Sequence, residues 1–426
     1  MDISTSNSKL NILFLDLSRW MAVLCAFGIP WSNASFNIGF YLTLIFFTLS
    51  FAFADRWQEV LKNPVVIIAL SLFALISLET IYSNSRVDLA NYDFIHYRKL
   101  LAIPLLVAVF TTNEHKKQLL LGYCLGVAVL MLPTLLDGFG IIHFFNFNIT
   151  SYRNAAYSAS QNGAPNLVYW RNQIVHGFHV SILFSACLIG AFYYKKYRNI
   201  LLIISGLCLI DIVFFIYGRM ALLSLLASII TIAIIYSPTK KRIALILTFI
   251  VVASSAVYFI VPTIQTRVDS IANQENAYSK DKNISTSGGI RLHYWAKSWQ
   301  LFKHSPIIGN GSGSFRQSMI TDSDPLASLG HRHAHNEYLT QLSQYGLIGF
   351  LLLISIITIS LKNAKKIEDL WLSHVITTGI IVFALNALTD SSLHNDWEGW
   401  AFVLFVSIAS INISLINPQL NKKITP

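Results

Sequence analysis

The sequence predicts an all-α fold that crosses a membrane many times. Of its 426 residues, 54% are hydrophobic and only 12% are charged, whereas a soluble domain carries about 25% charged residues. The long apolar runs lack the alternating pattern of barrel strands. Since every backbone amide in hydrocarbon must be hydrogen-bonded within the chain, helices remain as the spanning element. We therefore expect a polytopic helical membrane protein.

Apolar segments that could span the membrane occur along most of the chain. A crossing takes roughly 17–25 apolar residues, and we count about 12 transmembrane helices. The fourth is short, and the first contains Asp16 and Arg19. We place the spans near residues 12–30, 36–54, 64–83, 98–112, 118–136, 172–193, 200–217, 219–237, 243–262, 337–361, 371–389 and 397–416.

Basic clusters set the predicted orientation, because Lys and Arg gather in short cytoplasmic loops. With twelve crossings, the clusters at 116–117, 195–198, 240–242, 362–366 and 422–423 all lie on one face. Both termini are then cytoplasmic, and the loops 84–97, 137–171 and 263–336 lie outside. The net charge of +10 follows mostly from this topology, so we predict no nucleic-acid partner. Residues 1–426 form one domain, with 263–336 as an insertion.

The apolar run 200–236 must turn back once, because a single helix of this length would extend about 55 Å across a hydrocarbon core of about 30 Å. The strong interruption is Gly218 followed by Arg219, so Arg219 begins a helix at the outer boundary. A cation there opposes the helix dipole. A bound anion would remove this conflict, and a snorkelling arginine at a hairpin tip is the alternative.

The outer loop 263–336 contains a predicted amphipathic helix from about Ile290. Apolar and aromatic residues, including Tyr294 and Trp299, recur every three or four positions, and polar and glycine residues bound the segment. Arg291 lies in its first turn, where a phosphate at the helix N-terminus would balance the charge. The helix could also lie on the membrane surface with its aromatic residues at headgroup level.

Two further motifs in this loop suggest ligands that we do not predict. The glycine-rich run 309–315 lacks the lysine of a P-loop, so we interpret it as a flexible turn and expect no nucleotide. His331, His333 and His335 could be proposed as metal ligands, but no quartet with Cys or carboxylate at a metal-site spacing accompanies them. We expect no metal and no other cofactor.

His335 comes directly before a long apolar segment. If the segment is helical, His335, Gly346 and Gly349 fall within roughly 40° of one line. The two glycines would let another helix or a lipid chain approach the backbone. The plainer interpretation is an ordinary small-residue packing face below a loop histidine.

Together these motifs resemble the O-antigen ligase and polymerase superfamily. The resemblance rests on the segment from His335 to Gly349, on YGRMALLS with its Arg219, and on SGGIRLHYWAKSWQLFKHSPIIGNG with its Arg291. It covers residues 200–361 by sequence and the preceding part by topology only. The resemblance implies a GT-C-like architecture and points to an acidic residue after span eleven, which Asp390 matches.

The resemblance implies a bacterial O-antigen ligase of lipopolysaccharide biosynthesis, which moves O-polysaccharide from undecaprenyl pyrophosphate to lipid A-core at the periplasmic face of the inner membrane. Arg219 and Arg291 would bind the donor pyrophosphate and stabilise the charge that develops on it. His335 would be the general base for the acceptor hydroxyl. The transfer would invert the anomeric centre without nucleotide or metal. Candidate supporting residues are Asn336, Gly346, Gly349 and Asp390.

Other functions stay open at this stage. An O-antigen polymerase joins two undecaprenyl-linked glycans and differs from a ligase in its acceptor, which the sequence does not reveal. A protein O-oligosaccharyltransferase is disfavoured because relatives of that type tend to carry extra soluble sequence. A multispan transporter or flippase is disfavoured because few charged residues lie inside the predicted spans.

Overall fold

The computed structural model is built from helices and turns, without strands, in the residues that it describes, which are 3–83, 85–141, 173–216, 218–237, 239–260 and 262–411. The α-helices are α1 (Ile3–Gly28), α2 (Asn33–Leu49), α3 (Ala52–Leu61), α4 (Pro64–Tyr82), α5 (Val87–Tyr97), α6 (Ala102–Val109), α7 (Asn113–Gly138), α8 (Gln173–Tyr193), α9 (Arg198–Ile210), α10 (Arg219–Tyr236), α11 (Lys240–Ile260), α12 (Pro262–Asp281), α13 (Ser287–His304), α14 (Ser314–Thr321), α15 (Glu337–Ala364), α16 (Leu370–Asn386) and α17 (Asp396–Ser410).

Capping side chains fix where several of these helices begin. Asn63 accepts a hydrogen bond from the backbone of Val65 at the start of α4, and Pro64 takes the first helical position. Thr112 caps α7, and Asp369 caps α16. Each side chain satisfies a backbone N–H that has no partner within its helix.

Within the described part of the chain, seven helices are long and apolar enough to cross a membrane: Lys9–Gly28, Pro64–Ile81, Asn113–Gly138, Gln173–Tyr193, Lys195–Phe215, Arg219–Tyr236 and Glu337–Ala364. Two further apolar helices, Ala34–Leu49 and Leu370–Asn386, are shorter. The polytopic helical class is thus supported, while the number twelve stays a prediction. α11 and α17 coincide in position with the predicted spans 243–262 and 397–416, and residues 412–426 lie outside the described part.

The predicted span 98–112 has a different structure from the one expected. A 3-10 segment, Arg98–Leu101, leads into α6, which has only eight residues. Pro104 explains the irregular turn, because it lacks an N–H and its ring crowds the carbonyl four residues earlier. The apolar helix is therefore too short to cross the bilayer by itself.

The helical run is interrupted between α9 and α10, at the place where the sequence predicts. α9 continues into a π-helical turn, Asp211–Phe215, and Ile216 is extended. Gly218 is also extended and precedes Arg219, the first residue of α10. The predicted interruption before Arg219 is confirmed within the described residues, while the return of the chain across the membrane stays a prediction.

The helices α8, α16 and α17 form the centre of the bundle. α8 packs against α7, α9, α10 and α16, while α17 packs against α6, α15 and α16. Nearly every residue of α17 is buried. α1 and α2 pack against each other at one side of the bundle, and their exposed apolar side chains fit a lipid-facing surface.

The predicted outer loop 263–336 is largely helical. Its hydrophilic first part lies in α12, and the amphipathic helix is α13, which Thr286 caps through the backbone N–H of Gly289. α13 packs against α12 and α15. A small separate core, which includes Tyr294, Phe315 and Met319, stabilises this segment.

α15 is not the straight helix that the glycine spacing suggested. Gly346 has a φ of 63° and a ψ of −163°, which breaks the helix. The loop before α14 fills the break, and the Leu347 N–H donates to the Pro306 carbonyl at 2.8 Å. A Cβ at Gly346 would lie 2.3 Å from the Ile307 carbonyl oxygen. The expected stripe open to a helix or lipid chain is therefore wrong, because loop backbone occupies it.

The glycine-rich run is a packed connection, and our interpretation of it as a flexible turn is wrong. Gly309, Gly311 and Gly313 all have positive φ angles, between 75° and 88°. A Cβ on Gly309 would come within 2.1 Å of the Gln344 carbonyl oxygen in α15. These positions need glycine because the run passes so close to neighbouring backbone.

Candidate functional site

His335 lies directly before α15, and both of its ring nitrogens have partners. Its Nδ1 is 3.2 Å from Asp390 Oδ1, and its Nε2 is 2.8 Å from His331 Nδ1. His335 has a φ of 50°, a left-handed conformation that costs a non-glycine residue of the order of 1–3 kcal/mol. Such strain persists where the surrounding structure fixes a side chain, as it does at functional sites.

Asp390 is a buried carboxylate that remains ionised. Burial raises the pKa of Asp390, but the hydrogen bond from His335 and the nearby charges of His333 and Arg291 outweigh this and lower it to about 2. Asn395 Nδ2 also donates to Asp390, at 3.1 Å. Because an ionised carboxylate only accepts hydrogen bonds, His335 must donate from Nδ1. Its Nε2 is then the basic atom.

Arg291 lies in α13, within electrostatic reach of Asp390. Burial lowers the pKa of the Arg291 guanidinium, while the Asp390 carboxylate raises it. The guanidinium makes no hydrogen bond or ion pair with the residues that the structure describes. Its N–H groups are therefore available to bind an anion. Asp390 acts on the guanidinium through longer-range electrostatic attraction.

Arg219 points toward the start of α13. Its Nη1 and Nη2 both donate to Gln274 Oε1 at 3.2 Å. The same oxygen accepts the backbone N–H of Gly288, in the first turn of α13, at 2.9 Å. A guanidinium and a helix N-terminus thus converge on one oxygen, the arrangement that binds an anionic oxygen in phosphate sites.

One face of α13 connects these groups. Gly288, Arg291 and Tyr294 follow one another at three-residue intervals, so their side-chain positions are neighbours along the helix. Gly288 shares an acceptor with Arg219, and the Tyr294 ring stacks on the His335 ring at 6.1 Å between centroids. The face therefore runs from one arginine, past the other, to the histidine.

A second contact joins the start of α10 to Asp390. Thr389 Oγ1 donates to the sulfur of Met220 at 2.9 Å, and these residues directly neighbour Asp390 and Arg219. The structure thus brings Arg219, Arg291, His335 and Asp390 into one region beneath α13.

Apart from Asp390, the candidate supporting residues contribute mainly to local structure. Asn336 caps α15 by accepting from the Leu339 N–H at 3.0 Å, and it donates to the Leu388 carbonyl at 2.8 Å. Gly346 forms the break in α15. Gly349 is buried, and a Cβ there would lie 2.4 Å from Tyr345 Cβ in the same helix. We therefore expect Asn336 to hold the histidine segment in place, rather than to take part in chemistry.

His333, His335 and Asp390 offer donor atoms within 4.8 Å of one another, a set that could hold a metal ion by donor type. However, both ring nitrogens of His335 are already engaged by Asp390 and His331. Metal binding would have to replace at least one of these bonds. Metal independence stays a prediction.

A second pair of a carboxylate and a histidine was not predicted from the sequence. Asp93 in α5 and His394, just before α17, are both buried, and Asp93 Oδ1 lies 2.9 Å from His394 Nε2. Gly313 N–H also donates to Asp93, at 2.8 Å. The His394 ring lies 5.1 Å from the His333 ring, which lies 4.7 Å from the His335 ring. The pair therefore adjoins the histidine cluster.

A signal for this pair exists in the sequence. Tyr92, Asp93, His96 and Tyr97 share one side of a helix by their spacing, directly before an apolar segment. So many polar and aromatic residues on one face are unusual beside a membrane span. The pattern could have predicted that this face makes a polar contact. It could not have predicted that His394, far along the chain, is the partner.

Glu337, in the first turn of α15, positions the other member of the pair. Its buried carboxylate accepts the backbone N–H groups of Leu393 and His394 at 3.0 and 3.1 Å. Tyr97 donates its hydroxyl to the same carboxylate at 2.9 Å. These bonds tie the loop before α17 to α15 and to α5.

Comparisons with known proteins find similarity in the part of the chain that contains the three motif residues. Residues 204–354 match a family model described as O-antigen ligase, a range that contains Arg219, Arg291 and His335 but ends before Asp390. A stretch of 98 residues, 22% of this chain, is 31% identical to an uncharacterised protein of Haemophilus influenzae and covers 25% of that protein. The chain thus matches about a quarter of the length of this curated relative. The match over residues 204–354 supports membership of the O-antigen ligase and polymerase family.

Proposed function

We propose that this protein is an O-antigen ligase, which transfers O-polysaccharide from undecaprenyl pyrophosphate to lipid A-core at the periplasmic face of the bacterial inner membrane. The observation that carries the proposal is that Arg219 and the start of α13 meet at one oxygen, while Arg291 in the same helix acts on Asp390, which holds His335. This arrangement supports the proposal, because the reaction requires a group that binds an anion beside a base.

The donor is already activated, because breaking the bond between the anomeric carbon and a phosphate oxygen releases lipid pyrophosphate. Arg219, Arg291 and the Gly288 N–H would hold the pyrophosphate by charge-assisted hydrogen bonds. A donor oxygen would take the position that Gln274 Oε1 has between Arg219 and Gly288. The guanidinium groups stay ionised and stabilise the charge on the leaving group.

The acceptor hydroxyl would replace His331 Nδ1, which lies 2.8 Å from His335 Nε2, and give its proton to that nitrogen. Asp390 holds the opposite ring nitrogen, fixes the tautomer and stabilises the imidazolium that forms. The hydroxyl oxygen attacks opposite the pyrophosphate, so the anomeric centre inverts. Neither a nucleotide nor a metal enters this scheme.

Reconstitution in lipid vesicles with lipid-linked glycan and lipid A-core tests the proposal. Capped lipid A-core is the expected product, and added EDTA should leave its rate unchanged. Lengthened lipid-linked glycan would instead indicate a polymerase. Transport of a solute without either product would indicate a transporter, and EDTA inhibition that a divalent ion reverses would contradict the metal-free scheme.

Variants connect the product to the proposed residues. Arg219→Ala, Arg291→Ala and His335→Ala should each abolish capping while the protein still inserts into the membrane. Arg86→Ala is a matched control, because Arg86 is exposed and pairs with Asp88 at the start of α5. Capping at the control rate by any of the three variants would contradict the role given to that residue.

A further inference from the structure

Arg332 is an arginine of the histidine segment that the proposed reaction does not use. Its guanidinium packs over the ring of Tyr92 in α5, 4.0 Å from the ring centroid. Both side chains are half-buried. Stacking on an aromatic ring fixes the plane of the guanidinium and leaves its edge free to donate hydrogen bonds.

No carboxylate neutralises Arg332 among the residues that the structure describes. The guanidinium makes no hydrogen bond or ion pair there, although Asp93 and Asp396 both act electrostatically on Tyr92. Asp93 is bonded to His394 and Gly313, and Asp396 pairs with buried Lys99 at 3.4 Å. Both acids are thus engaged elsewhere, and the charge on Arg332 is left for a ligand.

Further polar groups surround the same ring. The His96 ring lies 3.9 Å from the Tyr92 ring, and its Nδ1 contacts the Tyr92 carbonyl at 2.7 Å. Within the described part of the chain, neither the Tyr92 hydroxyl nor His96 Nε2 has a hydrogen-bond partner. Arg332, Tyr92 and His96 therefore present a cationic fork, a hydroxyl and an imidazole nitrogen on one partly exposed rim.

This rim is close to the proposed base. Arg332 precedes His335 by three residues, so their Cα atoms are at most about 11 Å apart. A series of ring contacts leads from His335 through His333 and His394 to His96, with centroid distances of 4.7, 5.1 and 5.0 Å. Arg291, in contrast, belongs to α13 and acts on Asp390. His335 thus has one cationic group toward α13 and another toward α5.

We infer that Arg332, Tyr92 and His96 bind a phosphate group that the acceptor glycan carries near the hydroxyl that is attacked. The inference rests on the proposed function, in which a donor and an acceptor meet at His335. If the α13 side holds the donor pyrophosphate, the α5 side is left for the acceptor. A guanidinium fork can bind two oxygens of one anionic group, which also orients the sugar that carries it.

The test compares Arg332→Gln with wild type in neutral phosphatidylcholine vesicles, on phosphorylated and phosphatase-treated lipid A-core. On the phosphorylated acceptor, the KM for acceptor should rise about 10-fold or more, while the KM for donor and kcat change little. On the phosphatase-treated acceptor, the two proteins should behave alike. Tyr92→Phe, which keeps the ring, should have a smaller effect in the same direction. Arg86→Gln should match wild type throughout.

The outcomes separate this inference from the proposed function. An unchanged acceptor KM in Arg332→Gln, or an equal rise on both acceptors, would overturn the inference while ligation itself stands. A change in acceptor KM that appears only when the vesicles contain anionic phosphatidylglycerol would indicate that Arg332 binds a lipid headgroup. That result would also overturn the inference. Absence of capping by the wild-type protein would contradict the proposed function itself.

Discussion

At the scale of single residues, the pair of His335 and Asp390 carries the proposed proton transfer. We predict that Asp390→Asn lowers the capping rate by about 10²–10⁴-fold, the usual contribution of a positioned base. The Asn amide can donate to Nδ1, which permits the tautomer with its proton on Nε2, and it no longer stabilises the imidazolium. Rates measured on purified, reconstituted protein check this.

The control for Asp390→Asn is Asp322→Asn, which removes a carboxylate from the segment 263–336. Asp322 is exposed and pairs with Lys297, away from the histidine cluster. We expect its capping rate to stay near that of wild type. Equal rates for the two variants would show that Asp390 has no special role in proton transfer.

Asp93 should give the protein a distinct pH dependence of stability. Burial raises the pKa of Asp93 from 3.8 to about 6, so the folded protein holds a proton between about pH 4 and 6 that the unfolded chain has lost. By linkage, this proton adds to the free energy of unfolding at low pH. The contribution is about 3 kcal/mol in full, and it is lost as the pH rises from about 4 through 6. Asn does not titrate. The Tm of Asp93→Asn relative to wild type should therefore rise from pH 4 to pH 7.

Thermal unfolding in detergent across this pH range measures the difference. Asp88→Asn is the control, because Asp88 lies on the same helix and is exposed in its pair with Arg86. Its Tm difference from wild type should stay nearly constant with pH. A constant difference for Asp93→Asn as well would mean that the Asp93 carboxyl does not titrate in this window.

At the scale of elements, the break in α15 makes a specific demand on the sequence. Gly346→Ala should destabilise the protein by several kcal/mol, because φ of 63° with ψ of −163° is essentially restricted to glycine and the Cβ would meet the Ile307 carbonyl at 2.3 Å. Gly206→Ala is the matched control. Gly206 lies within α9, and no atom lies within 4 Å of the position that a Cβ would take there, so alanine should stabilise the helix by up to about 1 kcal/mol.

Denaturant unfolding of both variants tests whether Gly346→Ala lowers the free energy of unfolding and Gly206→Ala raises it. Loss of stability in Gly346→Ala and not in Gly206→Ala would support the broken helix. If the two glycine substitutions have the same effect, α15 is continuous at residue 346 and the loop at 306–311 does not fill a break.

The elements also show what local sequence can predict. α13 runs over Ser287–His304 and α10 begins at Arg219, as expected from amphipathic spacing and from a charged residue that interrupts a long apolar run. The break at Gly346 was not predicted, because its hydrogen-bond partners come from a loop about forty residues earlier in the chain. The pair of Asp93 and His394 was missed for the same reason, since 301 positions separate them. Tertiary contacts of this kind leave no local pattern.

At the scale of the whole molecule, the site is built where three parts of the chain meet. α13 covers it from the outer segment, the loop before α17 supplies Asp390 and His394, and α5 supplies Asp93 and Tyr92. The family match covers only part of this assembly, because α5 and Asp390 lie outside residues 204–354. The motif residues were therefore predictable from the resemblance. The contribution of Asp93 and Tyr92 from α5 could be recognised only from the folded structure.

At this scale, the positions of the basic clusters predict how the molecule is oriented in the membrane. Since Lys and Arg favour cytoplasmic loops, the cluster at 195–198 should face the cytoplasm and α13 the periplasm. Lys303→Cys in α13 should react with a membrane-impermeant maleimide in intact spheroplasts, whereas Lys195→Cys should react only after permeabilisation. Both lysines are exposed, and the native cysteines are buried, so background labelling should be low. The reverse pattern would place α13 and His335 on the cytoplasmic side, where a periplasmic ligase could not use them.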